Sequence, residues 1–130
     1  MSHFTKVQTK LNDLVCLKQA LGDLGYTWEE GAVQVRGYRG AREQADLVVR
    51  TGSAYDVGLK RVGDAYELVA DWWGVETGTG LAQDQFVSRL TQRYAYHKVL
   101  GEVRKQGFTV ATEETQADQT IKVVVRRWSS

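Results

Sequence analysis

The chain contains no proline and one cysteine, Cys16, among its 130 residues. A single cysteine cannot form an intramolecular disulfide, which favours a reducing compartment. No apolar run approaches the roughly 20 residues that a membrane-spanning helix requires. The stretch "MSHFTKVQTK" at the start of the chain lacks the apolar segment of a signal peptide. We therefore expect a protein without a membrane span, located in the cytoplasm or in the stroma of a plastid.

The charge of the chain is nearly balanced, with 17 basic and 16 acidic residues and a formal net charge of +1. This balance argues against a protein that coats nucleic acid, although a local basic patch stays open because net charge averages over all faces. Hydrophobic residues make up 42% and charged residues 25%, as in ordinary globular domains. We expect residues 1–130 to form a single domain that folds without a metal or a disulfide.

Alternation of apolar and polar residues predicts short strands, and apolar residues spaced three or four apart predict helices. Most of the strands follow one another at even spacing, which is typical of an antiparallel meander. The sequence therefore predicts an α+β fold, an antiparallel sheet with two helices on one face, in the order β-α-β-β-β-β-α-β-β. The predicted strands are 3–10, 32–38, 45–51, 55–61, 65–73, 108–116 and 120–128, and the predicted helices are 13–24 and 84–108.

Two adjacent tryptophans, Trp72 and Trp73, end the fifth predicted strand and so point to opposite faces of the sheet. Trp73, Trp128 and either Tyr55 or Tyr66 are large strand residues that cannot all fit behind two helices. An exposed sheet face that carries such aromatic residues usually marks an interface. The alternative is that the long helix and the terminal hairpin together bury both tryptophans. The sequence supports the two interpretations equally.

The segment "GVETGTG", residues 74–80, directly follows the tryptophans and contains three glycines. Glycine loses the most conformational entropy when it is ordered, so the segment is predicted to be the most mobile internal loop. If the Trp73 face is an interface, the loop should border it and become ordered on binding.

The segment "VRGYRGAR", residues 35–42, places Arg36, Tyr38, Arg39 and Arg42 around two glycines. Backbone N–H groups at glycines and bidentate arginines suit phosphate or carboxylate, and a tyrosine between arginines could stack on a base. It is not a P-loop, because no Gly-Lys-Ser/Thr follows. The simpler interpretation is a polar turn whose arginines are solvated.

The segment "RRW", residues 126–128, places Arg126 and Trp128 on one predicted strand face and Arg127 on the other. The structural interpretation is cross-strand cation–π packing, and the functional interpretation is a terminal anchor that binds a partner. The two arginines could also extend an anion site formed by the 35–42 turn.

No catalytic or metal-binding pattern stands out in the chain. His97 lies near the apolar stripe of the long predicted helix, and spacing identifies neither a nucleophile nor an orienting carboxylate for it. His3, His97 and Cys16 do not form a zinc-ligand spacing. We therefore assign no catalytic residue, no metal and no cofactor, and we interpret His97 as a histidine that hydrogen-bonds within its own fold.

Several long strings of the sequence are distinctive: "DLVCLKQALGDLGY" at 13–26, "VRGYRG" at 35–40, "YELVADWWGV" at 66–75 and "QRYAYHKVLGEVRKQGF" at 92–108. On these strings the sequence resembles the hypothetical chloroplast reading frame 35 family over nearly the whole chain. This is a small family of cyanobacteria and red-lineage plastids, catalogued as a domain of unknown function. The resemblance implies a photosynthetic host. Related domains in other bacteria are often encoded near an AAA-type ATPase, so the resemblance also implies an accessory role. It implies no reaction and no catalytic residues.

Two non-enzymatic functions stay open, beside an unrecognised enzyme with His97 near its centre. The first is a non-enzymatic accessory or binding protein that presents an aromatic sheet face to a protein partner or, as a homodimer, to itself. The alternative is anion or nucleic-acid binding through the turn at 35–42.

Overall fold

The computed structural model of the chain describes residues 3–118 and 120–127, so the candidate residue Trp128 lies outside the described residues. The α+β class and the antiparallel sheet are confirmed, and one short helix, α2, is added to the expected order of elements. The described elements are β1 (Thr5–Gln8), α1 (Leu14–Asp23), β2 (Thr27–Arg36), β3 (Arg42–Arg50), β4 (Asp56–Val62), β5 (Ala65–Ala70), α2 (Trp72–Thr79), α3 (Gln83–Lys105), β6 (Phe108–Thr115) and β7 (Ile121–Arg127).

The main sheet has five antiparallel strands in the order β1-β5-β4-β3-β2. Alternate residues of its central strands point to one face, where the three helices cover them. The strand side of this core is formed by Leu47, Val49, Val57, Leu59, Tyr66, Leu68 and Ala70. The strands β6 and β7 pair only with each other within the described residues and form a separate two-stranded sheet.

Part of the opposite face of the main sheet is covered by the sheet's own edge hairpin, formed by β2 and β3. A β-bulge between Glu30 and Val33 interrupts the pairing of β2 with β3, and Gly31 there adopts φ +107°, a left-handed value that favours glycine. Past the bulge the hairpin folds across the sheet, so that Val35 lies over Gly58 of β4. A Cβ at Gly58 would lie 2.3 Å from Val35 Cγ2. The expectation of an exposed sheet face is therefore wrong for this part of the sheet.

The segment after β5 is helical. The strand was expected to run through Trp73 and a loop to occupy 74–80, and both expectations are wrong: β5 ends at Ala70 and α2 covers Trp72–Thr79. The mobility expected for 74–80 stays a prediction. The helix begins because the Asp71 side chain accepts a hydrogen bond from a backbone N–H in its first turn. Gly80, at φ +78°, ends α2 in the left-handed conformation typical of a helix C-terminus.

The long helix α3 lies against α1 and over the sheet. Its buried residues are Phe86, Leu90, Tyr94 and Leu100, spaced at four- and six-residue steps along one stripe. The Tyr94 hydroxyl accepts hydrogen bonds from the backbone N–H groups of Asn12 and Asp13, at 3.2 and 3.1 Å, and so ties α3 to the start of α1. Even α3, the longest helix described, is not apolar enough to cross a membrane.

Candidate functional site

The two adjacent tryptophans have opposite environments, and they lie at neighbouring positions of α2 and not on a strand. Trp72 is 8% exposed and packs on Phe86 with ring centroids 5.7 Å apart. Trp73 is 58% exposed, the greatest exposure of any aromatic side chain among the large apolar residues described. Successive helix residues lie about 100° apart, so one tryptophan anchors α2 in the core while the next projects outward.

Close backbone contacts hold α2 in place below Trp73. A Cβ at Gly74 would lie 2.2 Å from the Tyr55 ring, and one at Gly78 would lie 2.9 Å from Ser53 Cβ. These two glycines are four residues apart and therefore share one face of the helix. The helix lies directly on the segment that precedes β4, which leaves Trp73 on a firmly supported first turn.

The turn at 35–42 lies beside the start of α2. One oxygen of the Asp71 carboxylate accepts a hydrogen bond from Gly74 N–H and the other from Tyr38 N–H, each at 3.3 Å. The same side chain thus joins the two segments that the sequence singled out. We call the surface formed by Tyr38, Arg39 and Trp73 the aromatic end.

The turn itself is a single 3₁₀ turn over Tyr38–Gly40. Arg39 adopts φ 54°, a left-handed conformation that is uncommon for a residue with a Cβ. Its guanidinium lies 5.1 Å from the centroid of the Tyr38 ring, a cation–π contact, and the side chain is exposed. Beneath the turn, a Cβ at Gly37 would lie 2.5 Å from the Phe4 ring, so Gly37 permits a close approach.

Arg36 forms an ion pair with the buried Asp56 and does not belong to an open anion site. Its Nη2 lies 2.8 Å from Asp56 Oδ1, its Nε donates to Asp56 Oδ2 at 2.8 Å, and its backbone N–H donates to the same oxygen at 2.9 Å. Arg50 Nη1 donates to that oxygen at 2.7 Å from the other side. These bonds fasten the end of the folded hairpin to the start of β4.

Asp56 is fully buried, and burial alone would raise the pKa of its carboxyl group. The hydrogen bonds from Arg36 and the charge of Arg50 outweigh burial, and the pKa of Asp56 lies below its ordinary value. The same contacts raise the pKa of Arg36. Among the three arginines of the 35–42 turn, Arg36 is thus held by Asp56, whereas Arg39 and Arg42 are exposed. Arg42 lies opposite Arg36 in the hairpin.

His97 lies in a polar cluster that joins α1, α3 and β6. Its Nε2 is 2.6 Å from Asp23 Oδ2, to which Arg93 Nε also donates at 2.9 Å. Burial would raise the pKa of Asp23, but the bonds from His97 and Arg93 lower it. Next to them the Tyr96 hydroxyl donates to Glu113, which raises the pKa of Tyr96. The spacing of the sequence had identified no carboxylate for His97, because Asp23 lies 74 residues away on α1.

No group of three or more histidine, cysteine or carboxylate side chains within the described residues is arranged to hold a metal ion. The site residue that the sequence analysis missed is Asp71. An aspartate directly before a helix is an ordinary N-cap signal, and the prediction that the strand continued through Trp73 concealed it.

Comparison with known proteins gives a family without an assigned activity. A family model described as "Protein of unknown function (DUF1257)" matches residues 20–124. The chain is 37% identical over 134 residues to "Uncharacterized protein ycf35" of Guillardia theta, covering 98% of both chains. It is 34% identical over 135 residues to the protein of that name from Pyropia yezoensis, covering 99% of both.

The protein of the same name from Cyanophora paradoxa is 33% identical over 134 residues, with 98% of each chain covered. No solved structure gives a significant match to the chain. The family resemblance drawn from the sequence is thereby confirmed, and the chain belongs to the DUF1257 family of proteins of unknown function.

Proposed function

We propose that this protein is a non-enzymatic accessory protein that binds a protein partner through the aromatic end. The observation that carries the proposal is the 58% exposure of Trp73 on α2, whose first turn Asp71 joins to the turn that contains the exposed Arg39. Tryptophan, tyrosine and arginine are the residues most enriched among those that dominate binding energy at protein interfaces. All three types occur together here.

The contacts beneath these side chains hold them in one conformation, which favours a role in binding over an exposure without function. Asp71 fixes the Tyr38 turn and the first turn of α2 through one carboxylate, and Gly74 seats α2 on Tyr55. A surface held in one conformation loses little entropy when a partner binds. An interface on α2 also fits the notion of an aromatic binding surface, with the helix in place of the sheet face.

The family supports a proposed cellular setting. The resemblance to plastid proteins favours a photosynthetic cell, with the protein in the cytoplasm or the plastid stroma. The accessory role implied by that resemblance makes an AAA-type ATPase the first partner class to test. A homodimer through the aromatic end is the other form of the same proposal, and light scattering on the purified protein separates the two.

Co-purification tests the proposal directly. Tagged wild-type protein, Trp73→Ala and the control Val15→Ala would each be recovered from extract of a photosynthetic cell, and the bound proteins quantified by mass spectrometry. Val15 is an apolar residue of α1 and is 65% exposed, so its truncation also removes exposed apolar surface but leaves the aromatic end intact. A partner retained by wild type and Val15→Ala and lost by Trp73→Ala supports the proposal. Identical sets of bound proteins contradict it.

Anion or nucleic-acid binding at the turn is the second candidate. It is favoured by Arg39 and Arg42, which are exposed and form no ion pair with any described residue. Titration of a labelled single-stranded oligonucleotide at low and at moderate salt tests it, because binding driven by phosphate contacts weakens steeply as salt rises. Arg39→Gln with Arg42→Gln should abolish such binding, and an affinity that is unaffected by this double change would remove the candidate.

A further inference from the structure

The C-terminal hairpin is an incomplete sheet. The strands β6 and β7 pair with each other alone among the described elements, and a two-stranded sheet is marginally stable in water without further strands or packing. The strand β7 therefore presents an edge of unpaired backbone N–H and C=O groups. Such an edge is a template for another strand, and natural proteins normally block it.

An apolar groove lies beside this edge, between α3 and the hairpin. Its volume is about 450 Å³, and no charged side chain lines it. Val99 on the α3 side is 50% exposed, although it is a large apolar residue in the middle of a long helix. The lining residues are Gln92, Ala95, Tyr96, Val99, Thr120, Ile121 and Val123.

The two faces of β7 differ in chemistry because its side chains alternate. Ile121 and Val123 point toward α3 and line the groove. Lys122, Val124 and Arg126 point away from it. An added strand beside β7 would therefore meet Ile121 and Val123 on its inner face and Lys122 and Arg126 on its outer face.

The charge of this edge is of one sign. The strand contains Lys122, Arg126 and Arg127 and no acidic residue. None of the ion pairs formed within residues 3–118 and 120–127 involves these three cations. Since opposite charges on neighbouring strands stabilise a sheet and like charges oppose it, the edge favours an acidic neighbour.

We propose that β7 binds an extended segment of a partner protein as a third strand, with apolar residues facing α3 alternating with acidic residues facing outward. Backbone hydrogen bonds to the free edge would supply affinity, and the groove with the flanking cations would supply specificity. This surface is separate from the aromatic end.

A second copy of the chain fits the edge poorly. Antiparallel pairing of β7 with itself about Val124 would place Lys122 of each copy opposite Arg126 of the other. Like charges directly opposite one another destabilise such a pair. The partner strand is therefore assigned to a different protein.

Synthetic peptides test the proposal on the full chain. The probe is a short labelled peptide of alternating valine and glutamate, and the matched control alternates valine and lysine. Both are used at concentrations where light scattering shows them to be monomeric. Fluorescence anisotropy is expected to show binding of the valine–glutamate peptide at least about tenfold tighter than binding of the control, and amide exchange should show new protection in β7.

Variants on exposed positions locate the site without disturbing the core. Val99→Lys should weaken binding of the valine–glutamate peptide about tenfold or more, whereas Val15→Lys, at an exposed valine of α1, should leave it unchanged. Lys122→Glu with Arg126→Glu should reverse the preference toward the valine–lysine peptide. Trp73→Ala should have no effect, so this test and the co-purification test succeed or fail independently.

Three results would overturn the inference. The first is no binding, or equal binding of the two peptides. The second is protection outside β7. The third is a dimer of the free protein that light scattering detects and Val99→Lys abolishes, which would assign the edge to a second copy.

Discussion

Asp71 accepts a hydrogen bond from the Tyr38 backbone N–H at 3.3 Å while its other oxygen caps α2 through Gly74 N–H. Asp71 is 1% exposed, so water cannot easily replace the hydrogen bonds that its carboxylate accepts. Two segments that are 33 residues apart in the chain therefore depend on one carboxylate. The aromatic end is built on this junction.

Asp71→Ala should lower the free energy of unfolding by about 1–2 kcal/mol, because it removes a helix cap and the anchor of the turn. Chemical denaturation measures this loss. Asp13→Ala is the matched control, since Asp13 caps α1 through Cys16 N–H at 3.2 Å and lies outside the aromatic end. Both variants should lose stability, but only Asp71→Ala should weaken the partner interaction that depends on Trp73. Equal weakening by both would show that Asp71 has no positioning role.

Gly74→Ala should destabilise the protein by about 1–3 kcal/mol, since the new Cβ would lie 2.2 Å from the Tyr55 ring. Gly101→Ala is the control: it lies in the C-terminal part of α3 with no neighbouring atom within 4 Å of a new Cβ, and it should stabilise the protein by roughly 0.5–1 kcal/mol. Thermal unfolding of both variants checks these signs. Gly74→Ala with wild-type stability would mean that α2 does not lie on Tyr55.

Amide hydrogen exchange of the free protein provides an independent measurement on the same helix. The backbone N–H groups of Val75 and Gly80 donate hydrogen bonds to the backbone carbonyl oxygens of Asp71 and Glu76, at 3.0 and 2.7 Å respectively. These amides should exchange more slowly than those of an unstructured segment. Exchange at the unfolded rate would restore the mobile loop that the sequence predicts for 74–80.

The elements that the sequence predicts well are those whose signal is local. The meander strands and the helices α1 and α3 follow from alternation and from apolar spacing, which need no knowledge of distant residues. The error after Ala70 has a different origin. Gly74 and Gly78 resemble loop residues in sequence, but in the fold they are points of close contact with Tyr55 and Ser53. Composition alone does not distinguish a flexible glycine from a closely packed one.

The candidate site shows the same limit. Arg36, Tyr38 and Arg39 look equivalent in the sequence, yet only the fold reveals that Arg36 is bound to Asp56, 20 residues later. The covered sheet face also depends on distant residues, because the hairpin can fold across only where Gly58 leaves space for Val35. The sequence predicts that some large aromatic side chain stays exposed. It does not predict that this side chain is Trp73 on α2, near the 35–42 turn.

Gly58→Ala should destabilise the protein by about 1–3 kcal/mol, because its Cβ would lie 2.3 Å from Val35 Cγ2 and 3.0 Å from Ala45 Cβ. Val35→Ala alone also destabilises, by leaving a cavity in a fully buried position. The double variant should lose less stability than the sum of the two, since Val35→Ala makes room for the new Cβ. Additive losses in denaturant unfolding would mean that Val35 does not lie over Gly58.

The ion pair of Asp56 predicts how stability depends on pH. The native pKa of Asp56 lies below its ordinary value of 3.8, so the native state binds fewer protons than the unfolded state in that range. The contribution of Asp56 to the free energy of unfolding is therefore complete above pH 3.8 and is lost as the pH falls through the lower native pKa.

Asp56→Asn should cost about 2 kcal/mol at neutral pH, less than for a fully buried pair because Arg36 and Arg50 keep 38% and 30% of their side chains exposed. The difference in unfolding free energy between wild type and Asp56→Asn should shrink as the pH is lowered below 3.8. Urea unfolding across an acidic pH series measures it. Arg36→Gln should lose part of the same pH dependence and the exposed Arg42→Gln none, because Arg36 donates to the Asp56 carboxylate and Arg42 does not. A difference between wild type and Asp56→Asn that stays constant down to acid pH would show that the native pKa of Asp56 is not lowered.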